Sequence, residues 1–173
     1  AELAAYMAWE CDPAQTGSFR PFLQEVRFGL GGGAGADGPV EIIGLAGDAI
    51  RLRGVVDRID RDEAGRLRVI DYKTSSVRLS GKDIAAGRAL QSALYAWAVE
   101  QLIPDSQGVA ITAYRHTGSR EQSGAIQPYT DDGGALIGQA AARAVGFAVA
   151  ARAGWFAALP SRGSAGKACG EKC

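Results

Sequence analysis

Apolar and polar residues alternate through 66–74 (RLRVIDYKT), so an extended chain there puts Leu67, Val69, Asp71 and Lys73 on one face and Arg68, Ile70 and Tyr72 on the other. The same period predicts a strand over 49–60 (AIRLRGVVDRID), and aromatic and β-branched content predicts another from Phe22 to Leu30. Segment 40–46 (VEIIGLA) reads as a strand or as the continuation of one. From Asp83 to Ile103 the spacing becomes helical: Ile84, Leu90, Leu94, Ala98 and Leu102 form a stripe, Asp83 stands near its start, and Pro104 closes it. Residues 108–116 predict a strand, 124–130 a short partner for it, 134–158 an Ala-rich helix, and 2–10 the end of a helix. Five of the nine residues in 31–39 (GGGAGADGP) are glycine, which predicts a flexible loop. Strands, then a helix, a strand and a helix, describe a mixed α/β layer protein, a single domain over 1–173.

Composition narrows this little. With 173 residues, 47% apolar and 22% charged, the chain is an ordinary globular protein and not collagen, coiled coil or wholesale disorder. No stretch approaches the roughly 18 consecutive apolar residues of a membrane span, and residues 1–12 lack the basic start and apolar run of a secretory signal. A cytoplasmic protein without a membrane partner is expected. Three cysteines, Cys11, Cys169 and Cys173, do not make a disulfide framework. Cys11 is expected as a small buried hydrophobe. The ending GKACGEKC, a tail over 160–173, is expected to belong to a longer protein. Nineteen basic residues balance nineteen acidic ones, but between Arg51 and Arg88 ten Lys/Arg face six acids, a local +4 that puts Arg58, Arg78 and Lys82 forward as contacts for a polyanion. Arg58 faces away from Asp57 in a strict strand and reads equally as part of a solvated face.

The two predicted strands flanking 61–66 form a hairpin. A three-residue loop Glu63-Ala64-Gly65 places Gly65 where a left-handed residue is wanted, and pairs residues whose numbers sum to 128. Ile59 then opposes Val69, Asp57 opposes Asp71, and Val55 opposes Lys73. A two-residue Ala64-Gly65 turn instead sets Tyr72 opposite Asp57. In the first register two carboxylates meet, which disfavours the sheet unless one is protonated or a divalent cation sits between them. Two carboxylates beside a lysine suit phosphodiester hydrolysis: a metal polarises the phosphate, and the ammonium stabilises developing charge.

Gly54-Val55-Val56-Asp57-Arg58-Ile59-Asp60, then Val69-Ile70-Asp71-Tyr72-Lys73-Thr74, then Leu90-Gln91-Ser92-Ala93-Leu94-Tyr95-Ala96, resemble the nuclease domain of RecB-type helicase–nucleases and their exonuclease relatives, within the PD-(D/E)XK superfamily. The likeness covers about residues 22–115. It implies a restriction-endonuclease-like α/β fold with a mixed, mainly antiparallel central sheet flanked by helices. It also implies Mg²⁺- or Mn²⁺-dependent DNA cleavage, exonuclease rather than endonuclease, in recombinational repair, with DNA as substrate and, as partner, a helicase domain or subunit.

By the same resemblance Asp57, Asp71 and the backbone carbonyl of Tyr72 hold the metal, with Glu25 a further acidic position. Lys73 is the catalytic lysine, and Gln91 and Tyr95, one turn apart on a helix, orient it or touch substrate. The family's upstream metal-binding histidine has no counterpart, since His116, the only histidine, falls on a predicted strand after the motifs. Cys169 and Cys173 lie where many relatives carry iron–sulfur ligands, but in a CxxxC spacing, so a [4Fe–4S] cluster is expected only in a full-length protein. Missing ligands leave an alternative: a catalytically inactive nuclease-fold module that binds DNA or a partner protein.

Overall fold

The computed structural model describes residues 2–29, 40–44, 47–75, 78–128 and 131–156. The expected loop at 31–39, the tail at 160–173 and both C-terminal cysteines lie outside them. Helix α1 (Glu2–Glu10) and a single turn α2 (Pro13–Thr16) lead into β1 (Arg20–Phe28). A hairpin of β2 (Val40–Ile43) and β3 (Ala49–Leu52) precedes β4 (Gly54–Arg61) and β5 (Leu67–Lys73). Helices α3 (Gly81–Ala85) and α4 (Gln91–Leu102) cross over to β6 (Val109–His116), β7 (Glu121–Ile126) follows, and α5 (Asp131–Arg152) is the last element.

The main sheet runs β1-β4-β5-β6-β7, and β2 and β3 form a separate two-stranded sheet. Only the β5–β6 pair of the main sheet is parallel, as the helical crossover between them requires; the other pairs are antiparallel. The fold is therefore the mixed α/β class expected. In the central hairpin Ile59 pairs with Val69 and Arg61 with Leu67, the register whose numbers sum to 128. Asp62 N–H donates to the Arg66 carbonyl at 3.0 Å, and Gly65 sits at φ +81°, a conformation costly for any residue with a β-carbon. The three-residue loop therefore sets which carboxylates face each other.

Three elements differ from the sequence pattern. Segment 49–60 is not one strand: alternation continues through Arg53, but the partner changes there from β2 to β1. A β-carbon at Gly29 would fall 2.6 Å from the Leu52 carbonyl oxygen, so the crossing is a close backbone approach. Nor is 83–103 one helix. Its stripe breaks after Ala85, with Gly87 at φ +78° where the Phe147 ring of α5 lies 3.2 Å from any β-carbon placed there. The short turn α2 is an addition to the predicted elements, set by Asp12-Pro13: Asp12 Oδ1 accepts from Ala14 N–H at 2.8 Å, and proline suits the first helical position.

The front face of the sheet carries Ile59, Leu67 and Val69, which pack against Ala96 and Val99 of α4. Ile84, Ala93, Ile126 and Ala140 tie α3 and α5 to this layer, and Ile42, Ile50, Ala141 and Val145 fasten the β2–β3 hairpin to α5. Each buried Val, Leu or Ile among these contributes about 1.5–3 kcal/mol, and each alanine less. By length and mean hydropathy α5 is apolar enough over Gly133–Arg152 to cross a membrane, although Gln139 and Arg143 interrupt its apolar residues. Its Ala140, Ala141 and Val145 are nevertheless buried in these clusters, so its apolar stripe is a packing face.

Candidate active site

Alternation along β5 brings Asp71 and Lys73 to the same face, and their side chains form an ion pair. Asp57 joins them from β4. The last backbone partners between the two strands are Arg58 and Ile70. Just beyond, Asp57 Oδ2 accepts the backbone N–H of Tyr72 at 2.8 Å. The strands part there, and a carboxylate stands where a ladder carbonyl would otherwise be.

Asp71 is only 4% exposed. Burial pushes its carboxyl above the usual carboxylate range, the charge of Asp57 pushes the same way, and Lys73 pulls it back. Apart from Lys73, its Oδ2 atom has no partner among the described residues.

Helix α4 reaches this pair from above. Lys73 Nζ donates to Gln91 Oε1 at 2.8 Å, Gln91 Nε2 donates to the Tyr95 hydroxyl at 2.9 Å, and that hydroxyl donates to the Val55 carbonyl at 2.7 Å. The chain of donors has one direction, because the Val55 carbonyl can only accept. Tyr95 must therefore accept from the Gln91 nitrogen, which turns the Gln91 oxygen toward Lys73. Burial raises the Tyr95 pKa, as do the charges of Asp71 and Asp57, so its proton stays in place.

The other expected residues are dispersed. Glu25 is exposed at φ 52°, between the paired positions Gln24↔Arg58 and Val26↔Val56, so by count it lies across from Asp57. No group of three His, Cys, Asp or Glu that could hold a metal occurs among the described residues. Arg78 is exposed and paired with Glu121, and Lys82 is exposed on α3. Cys11 is exposed rather than buried. His116 is 1% exposed, with Nδ1 2.7 Å from the Ser75 carbonyl and Nε2 2.7 Å from Ser123 Oγ, so it fastens the segment after Lys73 to β7.

Arg58 corrects the sequence expectation most sharply. It is 8% exposed and donates to Asp60, to Glu10 and to the Tyr72 hydroxyl, so it is neither part of a solvated face nor an open contact for a polyanion. It belongs to a cluster on the back of the sheet that sequence reasoning did not find. Glu10 accepts from Arg58 and Arg115, Asp60 accepts from Arg58 and Arg68, and Tyr6 donates to Glu10 at 2.6 Å. Three guanidinium groups outnumber two carboxylates. The excess is met by the Gln15 and Thr16 carbonyls at the end of α2, which accept from Arg68 and Arg115. The only sequence signal was the Arg and second Asp of Gly54–Asp60, without their partners.

A family model of the PD-(D/E)XK nuclease superfamily matches residues 1–173. The chain belongs to that superfamily. Among curated proteins, 85 of its residues are 40% identical to an ATP-dependent helicase/deoxyribonuclease subunit of Bacillus mycoides (strain KBAB4), covering 47% of this chain and 7% of that protein. Similar matches are the proteins of the same description from Moorella thermoacetica, 38% identical over 100 residues (56% and 8%), and Symbiobacterium thermophilum, 39% over 108 residues (57% and 9%). The chain thus spans less than a tenth of the length of these relatives. Asp57, Asp71 and Lys73 of this superfamily member stand together on the central hairpin, with Gln91 and Tyr95 of α4 above them.

Proposed function

We propose that this chain is the nuclease module of a helicase–nuclease and cleaves DNA phosphodiester bonds in a metal-dependent reaction, as an exonuclease in cytoplasmic recombinational repair. The observation that carries the reading is the buried Asp71 carboxylate, held between Lys73 and a second carboxylate, Asp57, with its proton affinity raised by burial. Such a charge is stabilised by a cation, and hard oxygen donors suit Mg²⁺ or Mn²⁺. Asp57, Asp71 and the Tyr72 carbonyl would hold that cation, which supplies polarisation of the phosphate and a more acidic attacking water. Lys73 donates to the developing negative charge in the transition state, and Gln91 with Tyr95 keeps its ammonium in place.

Only two carboxylates meet at this point among the described residues. That favours the second reading, a nuclease-fold module that binds DNA without cutting it. The two readings separate in one experiment. Mn²⁺ binding is measured by calorimetry on the chain and on Asp71→Asn, beside cleavage of single- and double-stranded DNA. Binding and cleavage that both vanish in the variant support the nuclease. DNA binding without Mn²⁺ binding in the unaltered chain overturns it in favour of the scaffold.

A further inference from the structure

We propose that Tyr114 is a positioning residue for Lys73, supporting the ammonium from below while also fixing the helix turn that holds it from above. This rests on the nuclease reading of Lys73. Tyr114 lies on β6 directly across from Asp71, and it is 1% exposed. Lys73 Nζ sits over its ring, 5.1 Å from the centroid.

The ring face attracts a cation without accepting one of its hydrogen bonds in the ordinary sense. That matters because Lys73 has three N–H groups. One is directed at Asp71 and one at Gln91, leaving the third with no protein acceptor among the described residues. A polar side chain in place of Tyr114 would compete for the N–H that a phosphate oxygen needs. The aromatic ring holds the charge and leaves the donor free.

The hydroxyl of the same residue does a second task. Leu90, at the start of α4, offers no side-chain cap, and the Ser92 N–H beside Gln91 instead donates to Tyr114 Oη at 3.1 Å. Tyr114 therefore ties together both contacts that define the Lys73 position. The neighbouring strand makes room for it: Gly124 stands at φ 58°, and a β-carbon there would come within 2.8 Å of Tyr114 Cδ2.

The test compares the chain with Tyr114→Phe and Tyr114→Leu by two readouts. One is single-turnover DNA cleavage with Mn²⁺. The other is the NMR shift of the Lys73 ε-methylene protons, which ring current moves upfield when the chain lies over an aromatic face. Tyr114→Phe keeps the ring and the upfield shift but loses the hydroxyl that accepts from Ser92, and is expected to lose about threefold in rate; Tyr114→Leu loses both and is expected to lose about tenfold or more at saturating DNA. In Tyr114→Leu the KM for DNA and the Mn²⁺ affinity stay unchanged, and the upfield shift disappears.

An ordinary Lys73 methylene shift in the unaltered chain overturns the proposal, whether or not the Leu variant folds. So does equal loss of rate in both variants, or a Leu variant that cleaves normally. An unaltered chain that does not cleave DNA, yet shows the upfield shift in the expected pattern, refutes the nuclease reading and still supports Tyr114 as the residue that places Lys73.

Discussion

Asp57 Oδ2 accepts the backbone N–H of Tyr72 at 2.8 Å, so one carboxylate both closes the end of the β4–β5 ladder and faces Asp71 across it. These are two separable tasks. The first needs only an oxygen acceptor, whereas the second needs charge.

Asp57→Asn therefore keeps an acceptor for Tyr72 and removes the charge. It is expected to leave the unfolding midpoint close to that of the parent and to weaken Mn²⁺ binding at least tenfold, by order of magnitude one lost charged ligand. Asp57→Ala strands the half-buried N–H as well, costing about 1–3 kcal/mol of stability. Calorimetric Mn²⁺ titration beside urea unfolding of both variants checks this. Equal stability losses in the two would show that the Tyr72 contact contributes nothing.

Gln91 and Tyr95 act on Lys73 as one unit in this geometry. Gln91→Leu removes the acceptor, and Tyr95→Phe removes the group that fixes the amide direction, so both are expected to slow cleavage although Tyr95 does not touch Lys73. The double variant is expected to be no slower than Gln91→Leu alone, since residues in one hydrogen-bond chain are not additive. Single-turnover rates over the full cycle decide it; multiplied losses would mean independent roles.

The acid pair and lysine were legible in the sequence because they depend on short-range rules. Period-two alternation put Asp71 and Lys73 on one face, and of the two turn lengths the sequence left open the structure forms the one with Gly65 in the left-handed position, which brings Asp57 toward them. What was not legible depends on contacts distant along the chain. Arg58 looked like a surface cation because its partner Glu10 is 48 residues earlier and lies on a helix the pattern joined to nothing. The break at Gly87 was hidden for the same reason, since the ring that crowds it comes from Phe147 on α5. Tyr114 carried no signal at all: an aromatic on a predicted strand reads as core until the ammonium above it is seen.

Asp83 gives a pH-dependent prediction. Its carboxylate accepts from the Ser80 hydroxyl and backbone N–H at the start of α3 and from Arg88, which holds its pKa down to about 2. A depressed folded pKa contributes stability that is fully present above the unfolded value near 3.8 and is lost as pH falls through the folded one. Asp83→Asn is accordingly expected to loosen α3 at pH 7, with the difference from the parent shrinking between about pH 4 and pH 2. Amide exchange of Ile84 and Ala85 against pH reads this directly. A difference that persists unchanged below pH 2 would assign the effect to something other than the Asp83 charge.

The cluster behind the sheet predicts an asymmetry between its anions and its cations. Three arginines, Arg58, Arg68 and Arg115, share two carboxylates, Glu10 and Asp60, with every one of these side chains nearly buried. Removing an anion worsens the imbalance: Glu10→Gln leaves three guanidinium groups against Asp60 alone and is expected to cost about 3–5 kcal/mol. Removing a cation moves the other way. Arg115→Met leaves Glu10 paired with Arg58, equalises the charges and keeps an apolar stem against Trp9, so its cost is expected to be well below that of Glu10→Gln. Urea unfolding midpoints at unchanged slope measure both. Equal losses would mean that each pair counts separately and that the carbonyls of Gln15 and Thr16 do not compensate the third arginine. A larger loss for Arg115→Met would assign the stability of this face to the packing of that side chain under α1 and not to charge balance.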